Sequence, residues 1–329
     1  MNKIKNQVLL SVCIPTYNRA HLLPQVVHSV VGSIKNCKTD NVEILISDNA
    51  STDDTQSVIA NLKLEYPFIK SRRNEENVVD ENFFICAKSA TGEFIWVFAD
   101  DDLMEPDAID IVLNEISKDV NVLLLNFSMW NKDFSKQIKP SHYQYKVDKT
   151  YTNHNEILTS FGNGLQYISS VVFNKSYFFI ERNFNYKNLH QYGNSFSYAL
   201  YVSLFNNPKF KFISQPILKY RGFNANEIQK VNIWYKFFIY GNDVLFKILK
   251  DQGYSNSSIR SARSRMIKHY LNMDITGRKL ENYNTLQLLK KIPQTYYFHF
   301  SFLLIGLPII LMPRLIFLPI YRFLKKMKN

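Results

Sequence analysis

Cysteine is scarce: Cys13, Cys37 and Cys86 are the three thiols of a 329-residue chain. They are odd in number, widely spaced and contain no Cys-x-x-Cys pair, which excludes a disulfide framework and a zinc set. Reduced core or surface thiols in a cytosolic compartment are expected. Glycine is absent from the loop Pro15-Thr16-Tyr17-Asn18-Arg19 that follows the first apolar run. Acidic residues are short in one region only. Met1 to Lys230 carries 24 basic and 24 acidic residues, and Val231 to Asn329 carries 16 basic and 4 acidic, so the whole net charge of +12 sits in the last hundred residues. Such asymmetry points to a polyanionic partner for that end, a nucleic acid or an anionic membrane surface.

What is plentiful is apolar and aromatic. Hydrophobic residues make up 46% and aromatics 15% of the chain, enough for a sizeable core and too much for a disordered polymer. The first apolar run, Val8 to Ile14, leads straight into Pro15 with no small-residue cleavage site, so it reads as a buried strand and not a signal peptide.

The first 130 residues alternate between two periods. Val8–Ile14, Val42–Ile46, Phe94–Phe98 and Val122–Phe127 are continuous apolar runs, the pattern of strands buried on both faces of a parallel sheet. Ala20–Cys37, Asp53–Tyr66, Glu81–Ser89 and the segment from Pro106 to about Ser117 read as the intervening helices, and Phe68–Ser71 as a short strand. This order argues for an open, mostly parallel α/β sheet with helices on both faces. Ligands of such sheets bind at the carboxyl ends of the strands. Four polar clusters, Thr16–Arg19, Asp48–Asp54, Arg72–Asn77 and Asp100–Asp102, fall at those ends. Further on, Tyr167–Phe173 and Phe210–Tyr220 read as strands. Tyr192–Phe205, Val231–Lys250 and Ser255–Met273 read as helices, the last two with basic faces.

Asp100-Asp101-Asp102 follows a rigid apolar strand directly. Three adjacent carboxylates are costly without a counter-ion, and hard oxygen ligands suit Mg²⁺ or Mn²⁺. The loop Pro15–Arg19 exposes hydroxyls, a ring and a guanidinium that can edge a base and a ribose. Asp48 can accept from an N–H on a pyrimidine edge, whereas Asp53 and Asp54 read as structural, beside a good N-cap for the next helix.

The last segment stands apart. Between Lys291 and Arg314 lie 22 residues without Asp, Glu, Lys or Arg, and Pro308, Pro313 and Pro319 interrupt the apolar stretch. A straight span needs about 20 apolar residues. A kinked segment lying in the interface, with Lys325, Lys326 and Lys328 near anionic headgroups, is the expectation.

These clusters, in this order and spacing, resemble family 2 glycosyltransferases of the GT-A, Rossmann-like fold. The resemblance is carried by Pro15–Arg19, Asp48-Asn49-Ala50-Ser51-Thr52-Asp53, Arg73-Asn74 with Asn77 and Asn82, Thr91-Gly92-Glu93, and Asp100–Asp102. It implies a nucleotide-sugar donor. Pro15, Thr16, Tyr17, Arg19 and Asp48 would line the nucleoside pocket, with Arg73 near base or phosphate. Asp100 and Asp101 would lie at the donor, Asp100 facing ribose and metal, and Asp102 would be the direct metal ligand. The stretch Tyr167 to Gly222 is similar to the abequosyltransferase-like branch, which builds bacterial O-antigen, through Ser169-Ser170-Val171-Val172, Ser203–Asn206, Ile213–Pro216 and Arg221-Gly222. That implies a lipid-linked glycan acceptor and a peripheral or monotopic place at the cytoplasmic face of the inner membrane, with no nucleic acid as partner. Val79 stands where family members usually have glycine, which implies a differently shaped loop. No clean Glu-Asp pair marks a general base; Glu181 and His190 are the nearest candidates.

The expected organisation is a GT-A domain over 1–230, with a nucleotide-sugar half (1–130) and an acceptor half (131–230). A basic helical extension (231–290) and a membrane-associating tail (291–329) follow. Rival readings are a nucleic-acid-binding protein, an inactive membrane scaffold and a sugar nucleotidyltransferase. The missing glycine-rich loop after the first strand speaks against the last.

Overall fold

The computed structural model describes residues 8–78, 81–116, 118–179, 194–222, 240–277, 302–313, 315–317 and 319. The chain divides into two compact units. One comprises Met1–His154, Gly164–Tyr186 and Phe196–Asn224; the other comprises Asn155–Asn163, Lys187–Ser195 and Ala225–Asn329.

The first unit is built on β1 (Leu10–Thr16), α1 (Leu23–Cys37), β2 (Val42–Asp48), α2 (Thr55–Glu65), β3 (Lys70–Arg73), α3 (Glu81–Ser89) and β4 (Phe94–Val97). After these come β5 (Leu103–Met104), α4 (Ala108–Ile116), β6 (Val122–Trp130), β7 (Gln137–Lys139) and β8 (Lys149–Tyr151). α5 (His154–Phe161), β9 (Val171–Asn174), α6 (Ser195–Asn206) and β10 (Phe210–Arg221) complete it, although most of α5 belongs to the second unit. The sheet order is β3-β2-β1-β4-β9-β6-β10-β5, with β7 on β6 and β8 on β10.

β1 pairs in parallel with β2 and β4, and β2 in parallel with β3. Their carboxyl ends therefore share one rim, as the apolar runs predict. β1 is buried along nearly its whole length, and β4 throughout, because helices cover the sheet. α1 supplies Leu23, Val26, Val27, Val30 and Val31 to the core, and α4 supplies Ile109 and Val112. α1 begins at Leu23 and not at Ala20, with Pro24 in its first turn, where a missing N–H costs nothing. Gly92 enters β4 where a Cβ would lie 2.6 Å from Ser11 Oγ, so only glycine allows β1 and β4 to pair this closely there.

Three features depart from the sequence reading. Tyr167 to Ser170 is not strand; Ile168–Ser170 is a 3₁₀ turn that delivers the chain to β9. β9 runs antiparallel to both β4 and β6 and separates them. β5 is two residues long and pairs antiparallel with Leu218 and Lys219 of β10.

The second unit contains α7 (Asn242–Asp251) and α8 (Asn256–Gly277), followed by a π-helical turn at Phe302–Gly306 and the short helix Leu307–Leu311. The buried Asp243 pairs with Lys247 at 2.8 Å and Arg263 at 3.5 Å. Ser258 Oγ donates to Asn155 Oδ1 at 2.8 Å, fixing α8 to the start of α5. No described helix is long and apolar enough to cross a membrane.

Candidate active site

The rim is assembled strand by strand. Thr16 of β1 stands in register with Asp48 of β2, and Asp48 in register with Arg73 of β3, so the three form one row across the sheet. Asp48 is fully buried. Its Oδ1 accepts from the Ser51 amide at 3.0 Å, and its Oδ2 takes Gln56 Nε2 and an ion pair with Arg73 Nη1 at 3.2 Å. Arg73 also donates to the Ser51 carbonyl at 3.0 Å and keeps 45% of its side chain exposed.

The loops after β1 and β2 are laced together. Ser51 Oγ accepts from the Asn18 amide at 2.9 Å, and Asn18 Oδ1 accepts from the Thr52 amide at 2.8 Å. Asn18 (φ 52°) and Ala50 (φ 60°) both sit in the left-handed region, a strain that the lacing maintains. Asp53, the residue before the N-cap position of α2, accepts from the Ala20 and Thr55 amides and so joins the loop after β1 to the start of that helix.

An asparagine network ties the next cluster down. Asn74 Nδ2 donates to Asn49 Oδ1 (2.8 Å) and Asn82 Oδ1 (3.0 Å), Asn82 Nδ2 to the Ser47 carbonyl (2.8 Å), and Asn49 Nδ2 to Asn77 Oδ1 (2.8 Å). Asn49, Asn74 and Asn82 are buried, so these residues shape the rim and offer little surface to a ligand.

The acidic turn is asymmetric. Asp102 is buried and its oxygens are taken: Oδ2 accepts from the Tyr167 hydroxyl and from Ser169 Oγ (2.7 Å), and Oδ1 from the Arg221 amide (3.0 Å). Burial, and then the charge of Asp101, pushes its carboxyl up to about 7 against those three donors. Asp100 is partly exposed yet densely surrounded. Burial and the Asp101 charge raise it to about 6, opposed by Thr16, Arg19 and the Tyr17 amide. Asp101 is raised by burial and drawn back by Arg19 and Arg221. No side-chain hydrogen bond joins the Asp101 carboxylate to another described residue. Thr16 Oγ1, buried beside Asp100, has no well-formed hydrogen bond.

The structure thus brings Thr16, Tyr17, Arg19, Asp100 and Asp101 together at the ends of β1 and β4, with Asp48 and Arg73 further along the same rim. Tyr17 is 40% exposed and Pro15 lies in β1, opposite Ser47. Glu181, His190 and Val79 lie outside the described residues.

Three residues of this site carry no role in the sequence reading: Tyr167, Ser169 and Arg221. Ser169 also takes the Ala99 amide at 3.0 Å. Arg221 Nε donates to the Asp101 carbonyl at 2.6 Å and Nη2 to Gln25 Oε1 at 2.8 Å. Ser169 and Arg221 stand in the resemblance to the abequosyltransferase-like branch, in the stretch that Tyr167 opens, but their contacts with the acidic turn and α1 are not legible there, because the partners lie 65 to 196 residues away.

Among the described residues no group of three or more His, Cys, Asp and Glu converges as a ready-made metal cage. The donor set still fits a hard cation. Asp100 and Asp101 are consecutive carboxylates that raise or feel each other's charge despite Arg19 and Arg221, and the Thr16 hydroxyl, which has no well-formed hydrogen bond, lies beside Asp100. One or two carboxylates with substrate phosphates completing the shell is how Mg²⁺-type ions are commonly held.

Residues 11–201 match the model of glycosyl transferase family 2. The chain belongs to that family. It is a glycosyltransferase, and enzymes of this fold commonly use a divalent metal. Among its relatives is the abequosyltransferase RfbV of Salmonella typhimurium, 29% identical over 232 residues, a match spanning 66% of this chain and 68% of the relative. A second is the GalNAc(5)-diNAcBac-PP-undecaprenol beta-1,3-glucosyltransferase of Campylobacter jejuni, 32% identical over 111 residues; there the match spans 33% of this chain and only 35% of the relative. The solved structure of S. aureus TarS 1-349 in complex with UDP aligns with a TM-score of 0.53 at 13% identity, covering 88% of this chain and 77% of that one, a likeness of fold.

Proposed function

We propose that this glycosyltransferase moves a sugar from a nucleotide-sugar donor to a lipid-linked or surface-polysaccharide acceptor, with a divalent cation at Asp100 and Asp101. The observation that carries the reading is the division of labour in the acidic turn. Asp102 is buried and spent on Tyr167, Ser169 and Arg221, while Asp100 and Asp101 are only partly buried residues. The family resemblance implies Asp102 as the direct ligand; its three protein donors favour Asp101 with Asp100 for that role, and Asp102 as the residue that fixes the turn.

When bound, Mg²⁺ or Mn²⁺ supplies the positive charge that a departing nucleoside diphosphate needs. The chain's own residues do the rest. Arg19 lies electrostatically beside Asp100 and Asp101 and is suited to a phosphate oxygen. Tyr17 presents an exposed ring for a base or ribose face. Asp48 orients Arg73; a base N–H reaching Asp48 would exchange with Gln56 or Arg73. UDP bound to TarS and the undecaprenol diphosphate in the relative's name support donor and acceptor of these classes.

The C-terminal tail fits an interfacial place. Leu303, Leu304, Leu311, Leu315 and Ile316 are exposed, Leu315 at 88%, in a stretch whose sequence also holds Arg314, Arg322, Lys325, Lys326 and Lys328. Apolar side chains beside lysines match an anionic bilayer surface. We assign 131–230 to the acceptor half, 231–290 to a basic extension and 291–329 to the membrane-associating tail, at the cytoplasmic face.

The test is turnover. The full-length chain is incubated with UDP-, CDP-, GDP- and dTDP-sugars, Mn²⁺ and a bacterial lipid extract, and nucleoside diphosphate release is measured. Release with one donor class, dependent on the extract and lost in Asp101→Asn, supports the reading. Release unaffected by chelation and by Asp101→Asn overturns the cation assignment.

A further inference from the structure

Asp101 is a partly exposed residue of the acidic turn, and no side-chain hydrogen bond among the described residues steadies its carboxylate. Its main chain is held instead, and one residue does most of it. Arg221, at the last position of β10, donates Nε to the Asp101 carbonyl at 2.6 Å and its own amide to Asp102 Oδ1 at 3.0 Å. Arg221 thereby holds the Asp101 carbonyl and the Asp102 side chain together, the two groups between which the Asp101–Asp102 peptide lies.

Arg221 is itself held on every side. Nη2 donates to Gln25 Oε1 on α1 at 2.8 Å, Nη1 donates to the Lys132 carbonyl in the β6–β7 turn, and the guanidinium lies 4.3 Å over the Phe134 ring. The strand end is fixed too: Gly222 donates to the Trp130 carbonyl at 2.7 Å, and a Cβ there would meet that oxygen at 2.5 Å. All five donors of a planar guanidinium belong to a fork that a flexible ammonium does not reproduce.

We infer that Arg221 is a positioning residue for the cation site: it holds the main chain that carries the Asp101 carboxylate and ties that position to α1 and the β6–β7 turn. The inference rests on the proposed cation role of Asp100 and Asp101. Residues behind metal ligands tune affinity by about 10- to 100-fold.

The experiment titrates Mn²⁺ alone into the full-length chain and follows free Mn²⁺ by its electron paramagnetic resonance signal, well below the melting temperature. Wild type, Arg221→Gln and Gln25→Ala are compared. Arg221→Gln keeps the main-chain donor to Asp102 and loses the guanidinium; about tenfold weaker Mn²⁺ binding is expected. Gln25 is exposed and contributes one contact to Arg221, so Gln25→Ala is expected to fold normally and to weaken Mn²⁺ binding measurably but by less than Arg221→Gln does, and it carries the test if Arg221→Gln does not fold. A merely structural arginine would lower the melting temperature and leave the Mn²⁺ affinity of the folded protein unchanged, and that result overturns the inference. If wild type itself shows no saturable Mn²⁺ site, the cation reading fails and the inference falls with it. Saturable wild-type binding with unaltered variants removes Arg221 alone.

Discussion

Ser169 Oγ donates to Asp102 Oδ2 at 2.7 Å and accepts the Ala99 amide at 3.0 Å, so one serine clasps both ends of the acidic turn. The serine comes from the segment before β9, an antiparallel strand that separates β4 from β6. The turn at the tip of β4 is therefore shaped by residues that follow it by about seventy positions.

Asp102 is expected to behave as a keystone. Asp102→Ala leaves the Tyr167 hydroxyl, the Ser169 hydroxyl and the Arg221 amide without an acceptor and should cost about 2–4 kcal/mol, at about 1–3 kcal/mol per orphaned group less the relief of a buried charge. Asp102→Asn can keep all three contacts and should cost about 1 kcal/mol or less at neutral pH. Chemical denaturation of both variants checks this. Equal and small losses would mean that the turn does not depend on Asp102.

The pH dependence follows from the same residue. Its folded carboxyl is raised to about 7, above the ordinary value of 3.8, so the unfolded chain releases this proton first. Its stabilising contribution is complete below the ordinary value and lost as pH rises toward 7. In metal-free protein, the stability of Asp102→Asn relative to wild type should therefore rise from pH 5 to pH 7 and level off above it. A pH-independent difference in melting temperature between the two would contradict the shift.

Asp101→Asn should separate fold from function. No side-chain hydrogen bond is lost, so stability should stay within about 0.5 kcal/mol of wild type, while Mn²⁺-dependent nucleotide binding falls by tenfold or more. Melting and nucleotide titration on one sample read both quantities. Normal Mn²⁺-dependent binding would return the ligand role to another residue.

Asn82→Ala tests the asparagine network. It removes the acceptor for Ser47 Oγ (2.7 Å) and Asn74 Nδ2 and the donor to the Ser47 carbonyl, all buried. A loss of about 2–3 kcal/mol is expected. A near-neutral change would show that the rim tolerates loose polar groups.

Leu315→Glu with Ile316→Glu tests the tail. Both side chains are exposed, so fold should survive, while co-sedimentation with phosphatidylglycerol vesicles should fall. Wild-type protein that stays in the supernatant without detergent would contradict membrane association.

The alternation of strands and helices is legible in the sequence because strands buried on both faces read as unbroken apolar runs, as Val8 to Ile14 and Phe94 to Phe98 do. The rim is legible because polar clusters stop those runs. The inner order of the site is not. Asp100, Asp101 and Asp102 are chemically identical in the sequence, and only the long-range contacts of Tyr167, Ser169 and Arg221 make the third one buried. β5 and the turn at Tyr167 to Ser170 escape for a similar reason: tertiary pairing overrides patterns too short to carry a period.

The most direct test of the central claim is a thermal-shift panel of UDP, CDP, GDP and dTDP on the full-length chain, each with and without Mn²⁺. A ligand that binds only the folded protein stabilises it by about 2.7 kcal/mol at a hundredfold excess over Kd. The account predicts a clear upward shift with one nucleoside diphosphate that requires Mn²⁺ and vanishes in Asp101→Asn. No shift with any of the four in well-folded protein, or a shift indifferent to Mn²⁺ and to Asp101→Asn, would contradict it.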